Sequence, residues 1–231
     1  DIQSTSLLPT GMAVDRIINH KNQEQIASSY TSCNHPEFIA DYCRERDFDA
    51  IIELGSGYSQ NLIKIFYQGG PNIPYYGGEF TESGTQCAQM LADITDDMEL
   101  IPFRFDYQAP DFSVLPKFNK VLVFTCHSIE QVTYIPENLI PAIAKLADEV
   151  TCIHIEPFGF QMVSEESQSE LDKKHRNYFR TNHWNQNLAQ LLVRHQIAGD
   201  ISLKYMGKNI LGGVDSNPSS LALWKSVESL T

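Results

Sequence analysis

Three short stretches carry residues whose types and spacing could do chemistry: "ELGSG" at Glu53–Gly57, "CHSIEQ" at Cys126–Gln131 and "CIHIE" at Cys152–Glu156. In the first, Gly55 and Gly57 let the backbone turn tightly and come close to a bound molecule. The helical pattern that follows aims its free N–H groups at the same space. Glu53 stands two positions before the first glycine, where a carboxylate would repel a pyrophosphate and could receive an ammonium group. A dinucleotide fingerprint, G-x-G-x-x-G, needs a third glycine. That position is Gln60, so a nicotinamide oxidoreductase is disfavoured and a cationic, amino-acid-like ligand is favoured.

The other two stretches hold imidazoles and carboxylates. His127 and Glu130 follow one apolar run, and His154 and Glu156 alternate with Cys152 onto one face of the next. If the four converge, they suit removal of a proton near neutral pH. The same nitrogens and oxygens suit a divalent metal that would chelate paired substrate oxygens. The spacing fits either reading, and no metal ligand is assigned. A third reading makes His154 a buried histidine satisfied by Glu156 or by backbone.

The elements that must position these groups follow from Phe48 onward, where short apolar runs alternate with helix-like segments, the pattern of a parallel sheet covered by helices. Strands are expected at about 49–54, 74–79, 99–104, 119–125, 149–155, 200–206 and 219–225. Helices are expected at about 59–67, 83–93 and 138–147, with a longer helical region over about 165–197. "KVLVFTC" and "EVTCIHI" are nearly continuous apolar runs, as central strands buried on both faces require. "KNILGGVDSNPS" joins the last two strands in place of a helix, so they should form an antiparallel pair. Residues 1–47 read as a helical cover or lid, with a weak helical pattern over 12–30 and a helix opened by Pro36 in "PEFIADYCRER"; residues 48–231 read as the core.

With "ELGSG" closing the first strand, the chain resembles the class I S-adenosylmethionine-dependent methyltransferases over about residues 48–225. Their first motif, an acidic residue followed by G-x-G, matches Glu53, Gly55, Ser56 and Gly57, with Ser59 where a third small residue, often Gly, is usual. The resemblance implies an α/β fold: a Rossmann-like, seven-stranded, mostly parallel sheet with an antiparallel terminal strand, flanked by helices. It implies that Glu79, 22 residues after Gly57, takes both ribose hydroxyls, which a carboxylate can do because it accepts two hydrogen bonds at once. It further implies that Asp106, with Tyr107 beside it, meets the adenine amino group, and that the segment from Cys126 borders the methyl donor.

S-Adenosyl-L-methionine is therefore the expected cofactor, held by Glu53, Gly55, Ser56, Gly57, Glu79, Asp106, Tyr107 and Cys126. His127 is the expected base with Glu130 orienting it, and His154 is a further candidate for catalysis. "CHSIEQ" departs from the N/D-P-P-Y sequence of the family's amino- and amide-nitrogen methyltransferases, which favours oxygen or carbon acceptors over nitrogen. The segment "SEESQSELDKKHRNYFRTNHWNQN" stands where the family commonly shapes an acceptor pocket or lid, the alternative being a solvated connecting helix. Tyr30, in the cover, is placed to close over the cofactor.

Composition narrows the partners. The 231 residues carry a formal charge of −12 with only 17 scattered Lys and Arg, which argues against nucleic acid and for a small-molecule substrate. No 18-residue apolar run exists, so no membrane span is expected. Five cysteines form no CxxC pair, and no basic segment precedes an apolar one at the start, so a reduced, cytoplasmic setting is expected. The lack of an initiator Met leaves a larger parent chain open. In that setting the rival function is a non-catalytic, methyltransferase-like interaction domain, against which the intact acidic and glycine positions argue. The oligomeric state cannot be read from the sequence.

Overall fold

The apolar runs form strands whose two faces feed two separate cores. In "AIIEL", Ala50, Ile52 and Leu54 pack on one side of the sheet and Ile51 on the other, each 0% exposed. Full burial of each of the larger side chains contributes about 1.5–3 kcal/mol. The computed structural model describes residues 35–211 and 218–227. Among these the strands are β1 (Ala50–Leu54), β2 (Tyr75–Glu79), β3 (Leu100–Arg104), β4 (Phe118–Cys126), β5 (Ala147–Glu156), β6 (Ile201–Leu211) and β7 (Ser219–Ser226). The α-helices are α1 (His35–Cys43), α2 (Gln60–Tyr67), α3 (Glu82–Asp93), α4 (Leu139–Ala144), α5 (Glu170–Thr181) and α6 (Leu188–Ala198).

The strands make one sheet in the order β3-β2-β1-β4-β5-β7-β6. β1 to β5 pair in parallel, whereas β7 is antiparallel to both β5 and β6. The expected seven-stranded α/β sheet with an antiparallel final strand is what forms. Strand order reverses between β1 and β4, so the loops after these two strands border the crevice where open α/β sheets take their ligands.

One face of the sheet is covered by α4 and α6 through Leu139, Ile140, Ile143, Leu188, Leu191 and Leu192. The other is covered by α1 and α2 through Phe38, Ile39, Tyr42, Leu62 and Ile65. Helix α1, expected within the cover, thus contributes to the core itself. The pattern over 12–30, including Tyr30, lies outside the described residues.

Three expectations need correction. The helical region 165–197 is two helices separated by residues 182–187; α5 starts from a capping box of Ser169 and Asp172, and α6 ends at Gly199 in the left-handed conformation. Helix α4 is shorter than expected because Ala147 already pairs with Phe118 in the sheet. Strand β6 runs on through "KNIL", where a loop is expected, by means of register shifts and a left-handed Asn209, a conformation Asn tolerates.

Candidate functional site

A cleft of about 810 Å3 opens beyond the ends of β1, β2, β3 and β4. Its floor is the "GSG" turn. Gly55 has φ +73°, and a Cβ there would lie 2.4 Å from Ser128 Cβ and 3.1 Å from the Tyr107 hydroxyl, so the loops after β1, β3 and β4 close together only over a glycine. Gly57 has φ +58° with nothing within 4 Å of its Cβ position, so its backbone borders open space. Ser59, also left-handed at φ 65°, fits because Gly77 of β2 has no side chain: a Cβ on Gly77 would lie 2.3 Å from Ser59 Oγ.

Glu79 closes one wall. Its Oε2 accepts the Gly57 N–H at 3.0 Å, and its Oε1 accepts the Thr81 N–H at 2.8 Å and the Thr81 hydroxyl at 2.7 Å. These bonds fix the carboxylate on the cleft while leaving acceptor capacity on both oxygens. Asp106 lines the next wall and accepts the Gln108 N–H at 2.8 Å. Tyr107, its ring buried, donates its hydroxyl to the Leu54 carbonyl at 2.6 Å and lies 2.8 Å from Ser128 Oγ. Burial, with Glu156 nearby, raises this phenol well above its ordinary value and keeps it protonated.

At the other end of the cleft stand His127, Ser128 and residues 131–134. His127 has φ 49°, uncommon for a non-glycine residue, and the following turn is anchored by Glu156. The Glu156 carboxyl accepts the N–H groups of Ser128 at 3.1 Å, Ile129 at 3.2 Å and Glu130 at 3.4 Å. Burial pushes Glu156 up to about 7, partly offset by His127 and the Ser128 N–H. Nδ1 of His127 lies 3.2 Å from Glu130 Oε2, and its Nε2 lies 2.7 Å from Ser219 Oγ. Action as a base would require one of these bonds to be given up.

Four expected site residues are placed elsewhere. Glu53 is 1% exposed and off the cleft wall; its Oε1 accepts from Asn61 Nδ2 at 2.7 Å, its Oε2 has no partner, and burial pushes it up to about 8. A neutral carboxyl sealed by α2 does not meet an ammonium group directly. Ser56 is buried against Ser59. Cys126 packs toward the core on the α1 and α2 side, because alternation in β4 sends it with Leu122 and Phe124.

His154 is the fourth correction. It is 0% exposed, Nε2 accepts the Trp224 indole N–H at 3.0 Å, and Nδ1 therefore carries the proton facing Thr125 Oγ1 at 3.0 Å. Burial lowers it to about 3, so it is a neutral histidine tying β4, β5 and β7 together. Hence His127 and Glu130 come together, Glu156 supports their backbone, and His154 is apart. Among the described residues no group of three or more His, Cys, Asp or Glu could hold a metal ion, and no helix is long and apolar enough to cross a membrane.

Two features were missed from the sequence: Ser219, which no local pattern marks and which reaches His127 from β7, and the way residues 183–187 hold the cleft wall. Asn185 N–H donates to the Glu130 carbonyl at 2.8 Å, Gln186 N–H to the Thr133 carbonyl at 2.9 Å, and Asn185 Nδ2 to the Val132 carbonyl at 2.9 Å. The Asn-rich spacing "NHWNQN" was the available signal, since Asn side chains mimic backbone partners.

The chain has the class I methyltransferase fold. The N-terminal domain of EvdMO1 with SAH bound superposes with a TM-score of 0.51 at 15% identity, covering 84% of this chain and 81% of that one. The plantazolicin methyltransferase BpumL, in complex with a triazolic desmethylPZN analog and SAH, gives 0.52 at 16% identity over 99% and 95%. Geranyl diphosphate methyltransferase in complex with GPP and sinefungin gives 0.52 at 9% identity over 84% and 78%. No protein-family model and no curated protein matches the chain.

Proposed function

We propose that the protein binds S-adenosyl-L-methionine in this cleft and transfers its methyl group to a small-molecule acceptor, at oxygen or carbon rather than nitrogen. Fold alone does not fix a reaction. The observation that carries the reading is Glu79, tied at once to Gly57 and Thr81 and still able to accept two hydroxyl donors on the cleft wall. Asp106 and Tyr107 frame the adenine side, and the open backbone at Gly57 gives the donor close approach. The named methyltransferases of the same fold, recorded with SAH or sinefungin, support the choice of cofactor.

When bound, S-adenosylmethionine supplies a methyl group already activated as a sulfonium. The protein's share is then mostly positioning, worth several kcal/mol when the reacting atoms are held in line. His127, held by Glu130 and Ser219, and the wall at 131–134 would orient the acceptor. The expected outcome is transfer of tritium from methyl-labelled S-adenosylmethionine into a small-molecule fraction, lost in Glu79→Ala. Cofactor binding with no transfer to any acceptor class would favour the non-catalytic domain instead.

A further inference from the structure

His127 reaches the cleft as one link of a four-residue chain. Glu130 Oε2 lies 3.2 Å from its Nδ1, Ser219 Oγ 2.7 Å from its Nε2, and Nε2 of His35 3.3 Å from the same Ser219 Oγ. The two imidazole rings are 5.6 Å apart, and Ser219 is 1% exposed at the start of β7. A carboxylate only accepts, so Nδ1 of His127 carries a proton. The single hydroxyl proton of Ser219 lies between two imidazole nitrogens and serves one of them. Given to His127, it leaves that ring neutral; given to His35, it requires His127 Nε2 to be a donor and the ring to be charged.

Glu130 Oε2, 3.2 Å from Nδ1, sets a carboxylate against His127 and so places the charged ring there, and the surroundings of the two rings agree. Burial alone would lower His127, but the Glu130 hydrogen bond and the charges of Glu156 and Glu130 raise it above its ordinary value. Burial, with His127 adding its repulsion, lowers His35 to about 4 and makes it the neutral acceptor. The chain then runs His127 Nε2–H to Ser219 Oγ and Ser219 O–H to His35 Nε2. Both N–H groups of His127 are used within the protein, so it presents a fixed positive charge to the cleft while Glu130 stays off that wall.

We propose that Glu130, Ser219 and His35 act as positioning residues that lock His127 as an imidazolium on the acceptor wall, and that the acceptor presents an anionic oxygen to it, as a carboxylate or acidic enol does. The assignment of that anion as methyl acceptor rests on the methyl-transfer reading; the state of His127 does not. In the step, the acceptor oxygen's lone pair forms the new O–C bond as the C–S bond breaks and its electron pair stays on sulfur. An anion and a sulfonium become a neutral methyl ester or ether and a thioether, with no proton to remove.

Nitrogen-15 spectra of histidine-labelled full-length protein read the ring state directly, without any cofactor. At pH 7 the His127 signals should be those of an imidazolium, and should shift toward the neutral ring in Ser219→Ala and in Glu130→Gln. Benzoate and benzamide then serve as probes in protein loaded with S-adenosylhomocysteine. Benzoate should bind about tenfold more tightly, as one charge contact of about 1.4 kcal/mol allows, and His127→Gln should bring the ratio to about one. A neutral His127 with an unprotonated Nε2 overturns the locked charge. Benzoate binding no better than benzamide, including no binding of either, overturns the acceptor class. Failure to bind S-adenosylhomocysteine sinks the methyl-transfer reading while leaving the state of His127 to be judged by its own spectrum.

Discussion

His127 and His154 come from neighbouring strands; Thr125, paired in register with His154, is two residues from His127. One ring lies at a strand end on the cleft, between carboxylates that raise its proton affinity. The other lies inside the sheet against an indole donor, and its burial lowers that affinity. The two carboxyls at the ends of β1 and β2 differ likewise: Glu79 is on the wall with spare acceptor capacity, whereas Glu53 is sealed behind α2. Residue type and strand-end position therefore do not settle a role. Partners and solvent access do.

The largest effect should come from moving the comparison to its structural side. His154→Ala removes the acceptor for Trp224 and the partner of Thr125 and opens a cavity, so it should lower unfolding free energy by about 3 kcal/mol. S-Adenosylmethionine affinity should stay within about twofold, since positioning losses without lost contacts are small. A weakening much beyond that, in protein shown to be folded, would place His154 in the site.

An effect smaller per pH unit lies in the pH dependence of stability, read by denaturant titration. The folded value of Glu53 is raised to about 8 from an ordinary 4.5, so the folded state holds a proton the unfolded chain releases. The contribution of Glu53 to stability should fall as pH rises from 4.5 through 8, by at most about 1.4 kcal/mol per pH unit. Glu53→Gln should flatten that slope; an unchanged slope would mean the carboxyl is ionised in place. His154 acts oppositely: its folded value of about 3 lies below 6.5, so stability present above 6.5 is lost as pH falls toward 3.

Legibility in the sequence followed the same division. The strand-turn-helix of "ELGSG", the sheet class and the wall positions of Glu79, Asp106 and His127 could be read because motif spacing and strand ends fix backbone placement. Side-chain facing was harder. Cys126 ends the right strand but points to the wrong side, as the alternation of Leu122, Phe124 and Cys126 in β4 would have indicated. Ser219 and His35 could not be found, because Ser219 meets His127 across 92 residues and His35 meets Ser219 across 184, with no local pattern to mark them. The smallest expected effect tests this facing rule: Cys126→Ser should change cofactor affinity by less than about twofold, and a large loss would put the thiol on the cleft.

The central claim is that the cleft takes S-adenosylmethionine through Glu79, and calorimetric titration with S-adenosylhomocysteine tests it most directly. The account predicts binding at one site per chain in the wild type, no binding of NAD, and a loss of about a hundredfold in Glu79→Ala, as two charge-assisted hydrogen bonds of about 1.5 kcal/mol each allow. No binding by the folded wild type, or undiminished binding by Glu79→Ala, would contradict it.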